Sequence, residues 1–283
     1  MVTLKSALVL PLLALGLLVG TAAAHAADSA AGSLEKIKAR DTLIVGVFSD
    51  KPPFGFVNEQ GDYVGFDTDL GRRFAKDLLG DEKKIEFVVV EPASRIPFLQ
   101  SDKVDLILAN MTVTPERAQV VDFTHPNLRV AVQALVPDSS PVKTLDDLAS
   151  KTVIVTTGTT ADIWLTKNHP DWKLLKFEKN SESLQALANG RGDAYAQDNL
   201  VLFSWAKQNP GYRVLAQKLG EEAPIAPAVK KGNTELRDWV NTELASLGQQ
   251  KYLLTLYNQY VRDQLAADTD PSAVIVEGGA WKP

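Results

Sequence analysis

Residues 104–117 read VDLILANMTVTPER, and they decide the fold. Val104 to Ala109 is a short apolar run of the kind that forms a buried strand. Asn110 to Val113 is a loop. Thr114 then caps a helix that has Pro115 at its first position. Working outward, the same strand–loop–helix unit recurs. Leu43 to Val47 is an apolar run, with turn chemistry at Asp50-Lys51-Pro52-Pro53 and Asn58-Glu59-Gln60-Gly61. Asp67 to Leu79 is helical, with Leu70, Phe74, Leu78 and Leu79 on one face and Gly80 as its stop. Ile85 to Val90 is a strand and Ala93 to Gln100 a short helix. This βαβαβ order predicts an open, mainly parallel sheet flanked by helices.

The pattern runs on through a strand at Val130 to Val136, breaks at Pro137-Asp138-Ser139-Ser140-Pro141, and restarts. Val153-Ile154-Val155 is a strand, followed by the loop Thr156 to Thr160 and a helix over 161–168. Ser181 to Ala188 is helical. Ala194-Tyr195-Ala196 leads to Asp198, and a helix covers 199–207. Ile225 to Val229 reads as a strand that returns to the first unit, and Leu236 to Arg262 as two helices broken near Gly248. The tail from Asp268 to Pro283 is polar, bears Gly and Pro, and is expected to pack loosely. The expected organisation is therefore two α/β lobes joined by two crossover strands. Residues 27–132 begin lobe 1, 133–224 form lobe 2, and 225–283 return to lobe 1 and end in the tail.

Residues 1–26 stand apart. Lys5 supplies a positive start, Ala7 to Gly20 is apolar except for Pro11, and Ala24-His25-Ala26 has small–x–small spacing. These are the marks of a secretory signal peptide cleaved before Ala27. The run is shorter than the ~20 apolar residues that span a bilayer. The expected destination is the periplasm. Across the 283 residues, Lys plus Arg is 30 and Asp plus Glu is 35, which argues against nucleic acid as a partner. There are no cysteines, which excludes disulfides, thiolate metal sites and cysteine nucleophiles. With only three histidines, no metal or other cofactor is expected.

Three loops carry the chemistry. Arg117 lies in the first turn of its helix, where a cation is unfavourable unless an anion joins it. With Thr112 and free backbone N–H groups it makes a carboxylate receptor; the alternative is pairing with Glu116, Asp122 or a surface acid. Thr157-Gly158-Thr159-Thr160 offers hydroxyls and N–H groups at a helix start, or simply caps it. Asp198, at a strand end, can accept from an ammonium group or cap the helix after it. Together the loops suit the head group of an α-amino acid.

The sequence resembles the bacterial periplasmic solute-binding proteins that feed polar-amino-acid ABC importers. The resemblance rests on an ordered set covering nearly the whole mature chain. It comprises Pro53-Phe54-Gly55-Phe56, Gly65-Phe66-Asp67-Thr68-Asp69-Leu70, Arg95-Ile96-Pro97-Phe98-Leu99, Val104-Asp105-Leu106-Ile107, Met111 to Arg117, Asp122-Phe123-Thr124, Gly158-Thr159-Thr160, and Asp193 to Asp198. It implies a monomer that closes two lobes on an amino acid and delivers it to a membrane permease. It also implies that Arg117 holds the ligand's α-carboxylate, assisted by Thr112 and the Asn110 backbone. Thr160, with Thr159, would donate from lobe 2, and Asp198 would bind the α-ammonium. Asn110 departs from the small residue usual there, His125-Pro126-Asn127 from an aromatic-rich pair, and Lys51 from an aromatic. Phe48 and Phe54 are left as an apolar wall. Arg95 stands where relatives selective for aspartate and glutamate also place Arg. With Lys51 it motivates the expectation of an acidic ligand, glutamate or aspartate. The alternative readings are a neutral or basic amino acid, or an enzyme. The same fold resembles periplasmic cyclohexadienyl dehydratases, in which Glu91 or Asp198 would serve as general acid.

Overall fold

The computed structural model describes residues 32–280. The expected signal peptide lies outside these residues. The chain builds two five-stranded sheets. In the first, β1 (Leu43–Val47) is flanked in parallel by β5 (Ile85–Val89) and β6 (Leu106–Ile107), with Val45 opposite both Phe87 and Leu106. Strands β15 (Ala228–Lys230) and β7 (Val121–Phe123) complete the order β5-β1-β6-β15-β7, β15 running antiparallel to both neighbours. In the second sheet β10 (Thr152–Thr156) lies between and parallel to β11 (Lys173–Phe177) and β12 (Ala194–Asp198). Strand β9 (Val132–Pro137) is antiparallel to β12, with β13 (Tyr212–Val214) at the edge. A small antiparallel sheet joins β2 (Asp50–Lys51), β3 (Gly55–Val57) and β4 (Tyr63–Val64). The structure thus has the two-lobed α/β architecture that the alternation of strands and helices predicts, but each five-stranded sheet is mixed, with two parallel and two antiparallel pairings, because the crossover strands enter each sheet against its βαβ strands.

Side-chain alternation explains the layers. On β10, Val153 and Val155 enter the core with Ala134, Val136 and Leu165, while Ile154 points to the other face, against Leu135, Leu184 and Tyr195. Period-two alternation with both faces apolar is what a strand covered on two sides requires. In the first lobe, Leu70 and Phe74 of α2 (Phe66–Leu79) pack with Val45, Val47 and Leu106 of the sheet and with Leu236, Val240 and Leu244 of α8 (Thr234–Gln249). Helix α1 (Ser33–Arg40) inserts Ile37 into the same core.

The two lobes are joined through a two-stranded sheet. Strand β8 (Leu128–Val130) runs antiparallel to β14 (Ala223–Ile225), pairing Val130 with Ala223 and Leu128 with Ile225. The sequence pattern runs one strand through 130–136, whereas the structure interrupts it at Ala131, the one residue between β8 and β9. The apolar run is continuous there, so hydropathy carries no sign of the change of partner. The edge strands β11 and β13 also escape the pattern, their residues being only partly buried or exposed.

The tail is not loosely packed. Val274, Ile275 and Val276 are buried. Ile275 bridges to Leu128 of β8, Arg129 N–H donates to the Val274 carbonyl, and Val276 N–H donates to the Asn127 carbonyl. The Glu277 carboxylate accepts from the N–H groups of Leu253 and Leu254 at the start of α9 (Tyr252–Tyr260). Helices α8 and α9 are separate, as the pattern suggests. Gly248, however, lies inside α8, where a Cβ would sit 2.4 Å from the Gly278 Cα. Its role is to admit the tail. Replacing Ile275 by Ala should cost about 2–5 kcal/mol of stability, the usual toll of a buried Ile. Chemical denaturation measures it, and a loss under about 0.5 kcal/mol would mean that the tail is dispensable to the core.

Candidate functional site

Helix α4 (Pro115–Val120) is capped by Thr114, whose hydroxyl accepts from Arg117 N–H at 3.2 Å. The cap fixes the first turn and aims Arg117 inward. Arg117 is 6% exposed, and its guanidinium donates to the Thr112 carbonyl at 2.8 Å. It also donates to the Gly158 carbonyl, in the second lobe, at 3.0 Å. Among the described residues neither Glu116, Asp122 nor another acid forms a salt bridge with it: Asp122 instead pairs with Lys231 at 2.8 Å. Gly158 has φ of 78°, and a Cβ there would lie 2.9 Å from the Ala93 Cα of the first lobe. A side chain at this point would hold the lobes apart, and its backbone conformation would be strained.

Asp198 ends β12 and stands at the N-cap position of α7 (Asn199–Gln208), yet its side chain makes no cap hydrogen bond. It is 2% exposed; one oxygen lies 3.6 Å from Lys51 Nζ, and the other, Oδ1, is buried without a hydrogen-bond partner among the described residues. A buried carboxylate oxygen left unmatched is costly. Its position beside Arg117 and Lys51 points to an ammonium or N–H donor arriving from outside the chain.

Lys51 is buried, not a solvated loop residue. Its ammonium lies 5.1 Å from the Phe48 ring centre and 5.9 Å from that of Phe54, a cation–π arrangement. Burial pulls its pKa down to about 8, opposed by the Asp198 charge and reinforced by Arg95. Arg95, at the start of α3 (Arg95–Gln100), is also buried. Its guanidinium donates to the carbonyls of Pro92 (3.1 Å), Ala109 (2.9 Å) and Asn110 (3.1 Å). Neither Glu91 nor Asp105 pairs with it; Asp105 is taken by Arg40. Burial holds the Arg95 pKa well below its ordinary value.

Asp67, a buried residue in the first turn of α2, accepts the Asn110 N–H at 2.8 Å. Burial raises its pKa to about 6, against the pull of that hydrogen bond and of Lys51 and Arg95. Asn110 is left-handed, with φ of 44°, and both polar ends of its side chain are buried without partners among the described residues. Left-handed Asn is tolerated because its side chain is short and polar.

Between these groups and the crossover strands lies a cavity of about 450 Å³, lined by Thr112, Arg117, Thr160 and Asp198, with Val132 and Trp164 among the walls. Four sequence-predicted residues therefore meet at one cavity. Lys51, Arg95, Asn110 and Phe54 form a charged and aromatic cluster next to it and do not line it. Thr159 is a cap: its hydroxyl donates to the Thr156 carbonyl at 2.7 Å and accepts from Asp162 N–H at 3.2 Å. Sequence reasoning missed Asp67 as a site residue, although it quotes the residue in a motif. The available signal was an acid inside an otherwise apolar helix face. Among the described residues no group of His, Asp and Glu is arranged to hold a metal ion.

The family model for bacterial extracellular solute-binding proteins, family 3, matches residues 43–263, and the chain belongs to that family. It is similar to the cysteine-binding protein of Campylobacter jejuni, with 43% identity and a TM-score of 0.85 over 87% of this chain and all of that one. It is similar to the solute receptor for L-cysteine of Neisseria gonorrhoeae, with 44% identity and a TM-score of 0.84 over 86% of this chain and 99% of that one. It is also 33% identical to the ABC transporter glutamine-binding protein GlnH of Bacillus subtilis, over 84% of this chain and 88% of the relative.

Arg117→Ala should lower affinity for any ligand with a carboxylate head group by about 2–5 kcal/mol, because it strands that charge. Calorimetric titration tests this, and near-wild-type affinity would remove Arg117 from the site. Asp198→Asn should weaken binding strongly, because it removes the charge an ammonium would meet; the same titration measures it, and near-wild-type affinity would remove Asp198 from the site.

Glu91 is expected to give ligand binding a pH dependence, if binding closes the lobes. Its Oε2 is buried without a partner, and it faces Asp50 in its own lobe and Glu178, Lys179 and Glu182 in the other. Burial first, then the Asp50 charge, raises its pKa from 4.5 to about 7, with Lys179 opposing. Parting the lobes would return it toward 4.5, so closure takes up a proton. Affinity should therefore rise as pH falls through 7 and weaken as pH climbs, by several-fold between pH 5.5 and 8. Glu91→Gln should flatten that slope; an unchanged slope would assign the titration elsewhere.

Proposed function

We propose that this protein captures a free amino acid outside the cytoplasm and passes it to an ABC importer, with L-cysteine as the ligand. The observation that carries the head-group reading is the buried, unpartnered Oδ1 of Asp198 at a cavity shared with Arg117. Arg117 would hold the α-carboxylate from lobe 1, and Asp198 the α-ammonium from lobe 2, with Thr112 and Thr160 adding polar contacts. The ligand then bridges the lobes, and closure follows from its contacts to both.

The side-chain assignment rests on likeness to two receptors titled for cysteine, each matched over 99% or more of its length. The cations that motivate an acidic ligand are engaged: Arg95 by three carbonyls, Lys51 by Asp198 and two rings. One observation still favours glutamate or aspartate. Lys51, Arg95 and Arg117 outnumber Asp67 and Asp198, three cations to two carboxylates, so the cluster carries one surplus positive charge. A zwitterion leaves that surplus and a second carboxylate cancels it. A thiol answers the same field in part, since nearby cations draw it toward thiolate.

Binding, not catalysis, is the reading the site supports. Of the two carboxyls considered as a general acid, Glu91 does not line the cavity and Asp198 faces Lys51. A thermal-shift and calorimetry panel of cysteine (under reductant), glutamate, aspartate, glutamine, arginine and histidine tests the proposal. L-Cysteine should give the largest rise in melting temperature. Tighter glutamate or aspartate would restore the acidic assignment, and tighter glutamine, arginine or histidine would overturn both. Aromatic product from prephenate or arogenate would overturn the non-enzymatic reading.

A further inference from the structure

Helix α6 (Asn180–Ala188), in lobe 2, begins without a cap of its own: Lys179, at the N-cap position, makes no side-chain cap hydrogen bond. The acceptor comes from the other lobe. Asp50 of β2 takes Ser181 N–H on Oδ2 at 2.9 Å and Asn180 Nδ2 on Oδ1 at 3.3 Å. A helix start leaves N–H groups unmatched and attracts negative charge, so a carboxylate is the natural occupant. Here it is supplied across the cleft.

The contact does not end at the helix. Asn180 Oδ1 accepts from Gln197 Nε2 at 3.0 Å, and Gln197 Oε1 accepts the Asp198 N–H at 3.0 Å. Tyr195 Oη braces the pair, accepting from Gln197 Nε2 at 3.0 Å, and is itself tied to Thr156 at 2.9 Å. Asn180, Tyr195 and Gln197 are all 0% exposed. A buried, continuous chain of hydrogen bonds therefore runs from Asp50 in lobe 1 to the backbone of Asp198 in lobe 2. The neighbouring Lys51 reaches Asp198 directly. Two successive residues of one short strand thus grip lobe 2, one at a helix start and one at the cavity.

We propose that Asp50 is the closure latch of this protein: an N-cap for α6 supplied from the opposite lobe, which holds the lobes together and fixes Asp198 through Asn180 and Gln197. Asp50 does not line the cavity, so it is a positioning residue. The role rests on ligand capture by lobe closure and is independent of which amino acid is captured. When the lobes part, the Ser181 N–H and the Asp50 carboxylate both return to water. Loss of the latch therefore acts on how long the closed state lasts.

Stopped-flow fluorescence on wild type, Asp50→Asn and Asp50→Ala tests this, with L-cysteine as probe. If another amino acid of the panel binds tighter, that one replaces it, so a wrong ligand assignment does not touch the latch. Asp50→Ala should speed dissociation about five- to tenfold, within the range a lost cap gives, while the association rate stays within about twofold. Asp50→Asn keeps an acceptor without the charge and should fall between, which also guards against a misfolded Ala variant. The ligand-free melting temperature should not move, and small-angle scattering should show a smaller ligand-induced compaction in Asp50→Ala. An unchanged dissociation rate overturns the proposal. So does slower association with a lowered ligand-free melting temperature, because Asp50 would then serve its own lobe.

Discussion

Asp198 is a carboxylate buried at the meeting of two lobes, and much of the site follows from the need to match its charge. An isolated ion in a dry interior would be neutralised or expelled. Asp198 stays because Lys51 lies 3.6 Å away and Arg117 adds its field, both from the first lobe. Those cations are themselves buried and need matching in turn. Arg117 and Arg95 are satisfied by backbone carbonyls, five hydrogen bonds between them, and Asp67 supplies charge behind Arg95 and Lys51. The result is a connected network in which each side chain is justified by the next. Such a network is stable only if every member is present, so it rigidifies the cleft walls and leaves specific atoms open. Asp198 Oδ1 and both polar atoms of the Asn110 carboxamide are among those atoms.

Much of this was legible in the sequence, and the limits have physical causes. Arg117 could be read because its place depends on local chemistry: a Thr cap and a Pro three and two residues before it fix the first turn. The core strands could be read because a strand covered on both faces needs an unbroken apolar run. Arg95 could be placed in a motif but not in its role. Its partners are main-chain carbonyls at 109 and 110, which have no signature in residue identity. Lys51 could be named as a cation but not placed: lysine is normally solvated, and its burial depends on Asp198, 147 positions away, and on two phenylalanine rings. The tail was misread because polar and Gly-rich composition outweighed Val274-Ile275-Val276, three apolar residues that complete the pairing around β8.

That pairing matters to motion. The lobes connect through β8 and β14, and a single residue, Ala131, separates β8 from the lobe-2 strand β9. Bending can concentrate there because strands on either side are held by different sheets. The tail makes β8 stiffer on the lobe-1 side, through Ile275 opposite Leu128 and the Asn127 and Arg129 backbone contacts. Stiffening one side of a hinge confines rotation to the residues next to it. On the lobe-closure reading, the tail would stiffen the lobe-1 side of this crossover from outside the cavity lining.

A ligand shifts the balance between open and closed lobes only by binding one state better than the other. Contacts confined to one lobe hold the ligand equally well in both and do not drive closure. The arrangement divides the proposed head-group contacts accordingly: Arg117 and Thr112 on lobe 1, Asp198 and Thr160 on lobe 2. The Lys51–Asp198 pair and the Arg117–Gly158 hydrogen bond also cross the cleft. They lower what the ligand must supply, yet they cannot close the lobes well alone, because Asp198 would be buried with one oxygen unmatched. An arriving ammonium removes that penalty. On the proposed reading, closure is favourable only when the cleft holds a head group that matches Asp198, and selectivity for amino acids would arise from the penalty of closing on anything else.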